Sequence, residues 1–147
     1  MHARVVRPPK DTIRFEAPAG ARRCSGGPGR VGVGLLLQGS SGGNGVILWL
    51  RAGGGDSLAA GPWPLLQRGD TVSPRGATVA VRYMLNEVAH GLPLDSGAVE
   101  VQQTGGVVTV VARGTGLETM AAGRVALEAS FDAVPLETVT VSCRPGP

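Results

Sequence analysis

Lysine is nearly missing from this 147-residue chain: Lys10 stands alone among 14 basic residues, so thirteen are arginines. With abundant Ala and Gly, that skew matches a GC-rich genome rather than a demand for guanidinium chemistry. Histidine and cysteine are scarce too, two of each, and they lie far apart. Acids never cluster at calcium-loop spacing, so no metal site is expected, and no cofactor. Aromatics make up 3%, and only Phe15 lies near the basic N-terminal stretch. That leaves little for stacking bases and argues against specific nucleic-acid binding. No stretch approaches the ~18 apolar residues of a membrane span. The start, Met1-His2-Ala3-Arg4-Val5-Val6-Arg7-Pro8-Pro9, carries charge with no apolar run behind it, so no signal peptide is read there. Arg22-Arg23 ahead of residues 31–37 lacks the uninterrupted apolar core of a twin-arginine signal, because Pro28, Arg30 and several glycines intervene.

Valine, glycine and proline are plentiful, with 24 Gly and 11 Pro. Gly and Pro penalise helix interiors, whereas Val, stiff at χ1, suits a pleated surface. The length is that of one domain. Period-two alternation is the main signal, since successive side chains of a strand face opposite ways. Val125, Leu127, Ala129 and Phe131 alternate with Arg124, Ala126, Glu128 and Ser130. Val139, Val141 and Cys143 alternate with Thr138, Thr140 and Ser142. The same rhythm runs through residues 78–85, 99–102 and 12–16. Each describes a strand with one buried and one wet face, the habit of antiparallel sheets.

Residues 31–38 and 45–51 are apolar on both faces, as for central strands covered on both sides. Between them, Gly39-Ser40-Ser41-Gly42-Gly43-Asn44 supplies a turn, and Thr104-Gly105-Gly106 supplies a second between 99–103 and 107–113. Residues 52–76 read as loop with short edge pieces, and 85–90 and 115–122 each offer at most one helical turn. The expected architecture is all-β: an antiparallel two-sheet sandwich (jelly-roll or Ig-like), with a flattened barrel as runner-up. Residues 1–10 are expected to be a basic flexible tail and 11–147 a single β-domain. Net charge is +5 over residues 1–30 and −2 over the rest, so contact of the basic stretch with an anionic membrane surface is one expectation.

Gly39-Ser40-Ser41-Gly42-Gly43 has nucleophile-elbow spacing, but that motif needs a strand-to-helix turn and here a strand follows. His90, Asp95 and Ser96 are triad residue types too close in sequence for the usual relay. Gly32 and Gly34 lack the helix and Gly-Lys-Ser/Thr of a phosphate loop. Trp49 is read as core. Trp63, between Pro62 and Pro64, is the candidate partner anchor, with Arg68 and Asp70 of an Arg-Gly-Asp tripeptide beside it. Cys24 and Cys143, near the first and last strands, are read as a disulfide, which implies an extracytoplasmic location in periplasm or at the cell surface.

The runs Asp95-Ser96-Gly97-Ala98-Val99-Glu100-Val101-Gln102-Gln103 and Gly105–Thr115, then 125–131 and 139–143, resemble small secreted or lipoprotein-type β-domains of Gram-negative bacteria, which have no established activity. The resemblance spans about residues 12–143. Ala21-Arg22-Arg23-Cys24 departs from a lipid-attachment box, which keeps Cys24 as a disulfide half. Together these imply a non-catalytic extracytoplasmic binding or scaffolding domain, an extrinsic accessory subunit whose partner is another protein or envelope complex. The competing expectation is a small serine hydrolase using Ser41 or Ser96 with His90.

Overall fold

The computed structural model describes residues 1–25, 34–52, 58–70 and 72–142. In chain order the strands among them are β1 (His2–Arg7), β2 (Asp11–Glu16), β3 (Ala19–Ser25), β4 (Gly34–Ser41), β5 (Asn44–Arg51), β6 (Gly61–Pro64), β7 (Gly76–Leu85), β8 (Val88–Pro93), β9 (Ser96–Thr104), β10 (Val107–Gly116) and β11 (Val125–Ser142). No helix occurs among the described residues. The all-β expectation holds. Its form is one continuous hydrogen-bonded sheet, ordered β6-β9-β10-β11-β3-β4-β5-β7-β8, with the β1–β2 hairpin attached to β11. The sheet curls into an open half-barrel.

β11 makes that continuity. Its first part pairs antiparallel with β10 and β1, and its last residues pair parallel with β3, Val141 beside Cys24. Residues 125–131 and 139–142, which read as separate strands, are thus one strand of 18 residues, carried through an irregularity near Ala133, where φ is 45°. Val139, expected inward, is 65% exposed, because the face alternation does not survive that irregularity. Across the open side, Leu66 N–H donates to the Ala77 carbonyl at 2.8 Å and draws the end of β6 onto β7, while Leu94 N–H to the Val79 carbonyl at 2.9 Å continues the β7–β8 ladder.

The apolar sets of nearly every strand meet in one core, with Val5, Leu35, Leu48, Tyr83, Val101 and Phe131 all fully buried. Burying each such side chain contributes about 1.5–3 kcal/mol. Both expected hairpins are present and tight. Gly42 and Gly43 turn β4 into β5 at φ 58° and 85°, and Gly105 turns β9 into β10. Residues 85–90 form the β7–β8 hairpin instead of a helical turn, with Asn86 and Glu87 at φ 49° and 64°.

Residues 1–10 are no tail. β1 lies between β11 and β2, with Ala3 and Val5 buried, because its own alternation matches the inner face once β11 is beside it. Trp63 is 1% exposed, which removes it as a surface anchor. Its register partner on β9 is Val99, so its ring faces the core; Nε1–H donates to the Ala59 carbonyl at 2.9 Å and the Arg75 guanidinium lies 4.2 Å over the ring. Pro62 and Pro64 alternate with it on a strand that pairs on one side only, where missing N–H groups are tolerated. Trp49 is not core: Leu48 and Leu50 take the inner face, and Trp49 lies half-buried outside, 5.4 Å from the Arg51 guanidinium.

Candidate functional site

Four polar side chains, Arg7, Tyr83, His90 and Glu118, gather in one cluster. After β10 the chain turns back as residues 117–124, and Gly116 permits this: a Cβ there would stand 2.2 Å from the Pro93 carbonyl oxygen. That approach delivers Glu118, whose side chain is only 6% exposed, to three donors from three other elements. Arg7, at the end of β1, donates Nε–H to Oε2 at 3.3 Å, and its Nη2 donates to the Met120 carbonyl at 2.8 Å. The Tyr83 hydroxyl of β7 donates to Oε2. His90 of β8 places Nδ1 2.5 Å from Oε1 and stacks on Tyr83, its register partner, at 5.4 Å between ring centres.

Burial alone, the largest influence on Glu118, would push its carboxyl up, yet the hydrogen bonds from Tyr83, His90 and Arg7 outweigh it and hold the group below the ordinary carboxylate range. Burial, then the hydrogen bond to Glu118, pushes the Tyr83 phenol well above its usual value. The hydrogen bond that Arg7 itself donates to Glu118 raises Arg7 in turn. The arrangement keeps a carboxylate ionised and a phenol neutral, with each committed to the other. It ties the 117–124 segment across the end of the sheet.

His90 is therefore brought together with Glu118, not with a serine. Ser41 of β4 pairs with Asn44 on β5, β7 lies on the far side of β5, and His90 lies beyond that on β8, opposite Tyr83. That is three strand spacings, about 14 Å, too far for proton transfer. Ser96 is exposed at the start of β9 and makes no hydrogen bond with His90 among the described residues. Asp95 pairs with Arg124. In the Arg-Gly-Asp tripeptide Arg68 is exposed, but Asp70 is engaged within its own loop. Its Oδ1 accepts from the backbone N–H of Val72 and of Ser73, and its Oδ2 accepts the Ser73 hydroxyl at 2.5 Å. The Ser73 hydroxyl, the largest of these influences, and the Ser73 N–H hold its carboxyl low. The buried Arg51 fastens that loop, donating to the Ser73 and Asp70 carbonyls at 2.8 and 2.9 Å. Cys24 is buried on β3, and Cys143 lies outside the described residues. Among the described residues no group of His, Cys, Asp and Glu is disposed to hold a metal, and no helix is long and apolar enough to cross a membrane.

Sequence reasoning missed Arg7, Tyr83 and Glu118 as partners. The one legible hint was an acid, Glu118, in a segment too short to be a helix and too polar to be a strand.

Comparison with protein-family models, with curated proteins and with solved structures yields no match to this chain.

Proposed function

We propose that this chain is a non-catalytic extracytoplasmic binding or scaffolding domain, acting as an extrinsic accessory subunit of a membrane-associated complex. The observation that carries the reading is the closed Glu118 cluster. The one partly buried histidine is held by a carboxylate that also serves Tyr83 and Arg7, and both candidate serines stand elsewhere. A polar group with its partners fixed inside the fold stabilises that fold and is not free to react. The half-barrel is read more finely as a two-sheet antiparallel sandwich whose sheets share β11. The compartment rests on a disulfide between Cys24 and Cys143. In its support, Val141 is the register partner of Cys24, and Cys143 follows two residues along the chain.

The test is a pull-down from native membranes, which should recover a partner in stoichiometric amount; recovery of none overturns the accessory-subunit role. A serine-directed activity probe is expected to leave Ser41 and Ser96 unmodified. Mass spectrometry of unreduced native protein should find Cys24 and Cys143 linked, and two free thiols would remove the argument for export.

A further inference from the structure

The outer face of the β1–β2 hairpin carries a second cluster, opposite in character to the first. Arg14 of β2 is the direct register partner of Arg4 of β1. Arg4 is in turn opposite Glu128 of β11, and Glu128 is opposite Arg113 of β10. Directly opposed residues of antiparallel strands point to the same face, so the four form one exposed row about 14 Å long. Glu128 is engaged by Arg113, Oε2 to Nε at 3.3 Å. Arg4 and Arg14 have no acidic partner among the described residues, although like charges placed opposite each other are unfavourable. They line a cleft of about 490 Å³ together with His2, Glu16, Glu128 and Ser130.

From this juxtaposition we infer that Arg4 and Arg14 form a binding site for a phosphate monoester. Two guanidinium forks whose Cα atoms are about 5 Å apart can both reach one group. A monoester carries about −1.5 to −2 charge and three acceptor oxygens, which suits two guanidiniums better than a single carboxylate does. The rest of the cleft sets its selectivity. Glu16 lies 3.0 Å from His2, and Asp132 3.7 Å from the same ring, so carboxylates border the arginine pair on that side, as Glu128 does on the other. Such a rim repels an extended polyanion such as DNA or RNA, while it accepts hydroxyl or ammonium donors on the body of a small ester or a headgroup. The inference deepens the binding-domain reading and rests on it. Its test uses the purified chain, so a failed titration and a failed membrane pull-down are separate results.

Titration with inorganic phosphate, followed through the arginine Nε–H resonances, should move Arg4 and Arg14 saturably and leave Arg113 and Arg124, already paired with Glu128 and Asp95, in place. Arg4→Gln and Arg14→Gln should each weaken phosphate binding by about tenfold, with Arg68→Gln unchanged and the melting temperatures held or raised. Vesicles of phosphatidic acid in phosphatidylcholine distinguish the source of the ester. Sedimentation with them that is lost in both variants assigns a lipid headgroup, whereas a phosphate response without sedimentation assigns a soluble ester. No saturable shift at Arg4 and Arg14, equal shifts at every exposed arginine, or tighter binding of a DNA oligonucleotide than of phosphate would each overturn the proposal.

Discussion

Two groups of charged side chains, both built on β1, illustrate opposite uses of charge. At the end of the strand, Arg7 enters a cluster in which a single carboxylate, Glu118, meets Arg7, Tyr83 and His90 away from water. In the middle of the same strand, Arg4 faces Arg14 in the open, like charge against like. In the first group the donors and the carboxylate satisfy one another, so the group stabilises the fold. In the second they leave an unmet requirement that a ligand can fill. The difference comes from the chain segment that covers each: residues 117–124 fold over Arg7, and no described segment folds over Arg4.

Mutation should separate the two groups by sign as well as size. Glu118→Ala strands the Arg7 guanidinium, the Tyr83 hydroxyl and His90 together, and should destabilise by about 3 kcal/mol, measured by urea unfolding. The same variant should open residues 117–124 to limited proteolysis. Wild-type resistance retained in the variant would break the contrast.

Acid should act next. Because the folded Glu118 carboxyl is held below its ordinary range, its contribution is fully present above the unfolded value of about 4.3 and disappears as pH falls through the lower folded value. Tyr83 acts in the opposite sense. Its raised folded value gives a contribution that is complete below about pH 10 and declines as pH rises beyond that. Thermal unfolding across pH should therefore show a plateau with losses on both sides. Glu118→Gln should flatten the acid side.

The β7–β8 hairpin positions Tyr83 and His90, yet its turn places Glu87 at φ 64°, where a side chain is strained. Glu87→Gly creates an Asn-Gly turn and should stabilise by about 1 kcal/mol. A loss instead would mean that the Glu87 side chain itself contributes to the cluster's support. The smallest effect belongs to the open pair. Arg14→Gln relieves the opposed charges and should stabilise by about 0.2–1 kcal/mol, more at low salt than at high.

Much of this fold was legible because local pattern and global packing agree. The rhythm of Val79, Val81 and Tyr83 and of Val125, Leu127 and Phe131 names inward faces that the core keeps. The paired glycines at 42–43 and 105–106 mark tight turns. What was not legible depended on distant partners. β1 reads as a charged tail until β11 lies beside it, and the paired residues are far apart in sequence, from Val6 with Ala126 to His2 with Ser130. Prolines flanking Trp63 suggest exposure in a loop but equally suit an edge strand, and only the pairing with Val99 decides the matter. Glu118 meets partners 111, 35 and 28 residues away, a separation over which no periodicity carries information. The parallel pairing of β11 with β3 is equally silent, because alternation is the same for both strand directions.

The central claim is that the buried cluster stabilises the fold while the exposed arginine pair costs it stability. Urea unfolding of Glu118→Gln and Arg14→Gln, run beside the wild type at neutral pH and low salt, tests this directly. The account predicts shifts of opposite sign, with the midpoint lowered for Glu118→Gln and raised slightly for Arg14→Gln. Midpoints that move the same way, or a Glu118→Gln midpoint equal to wild type, would contradict it.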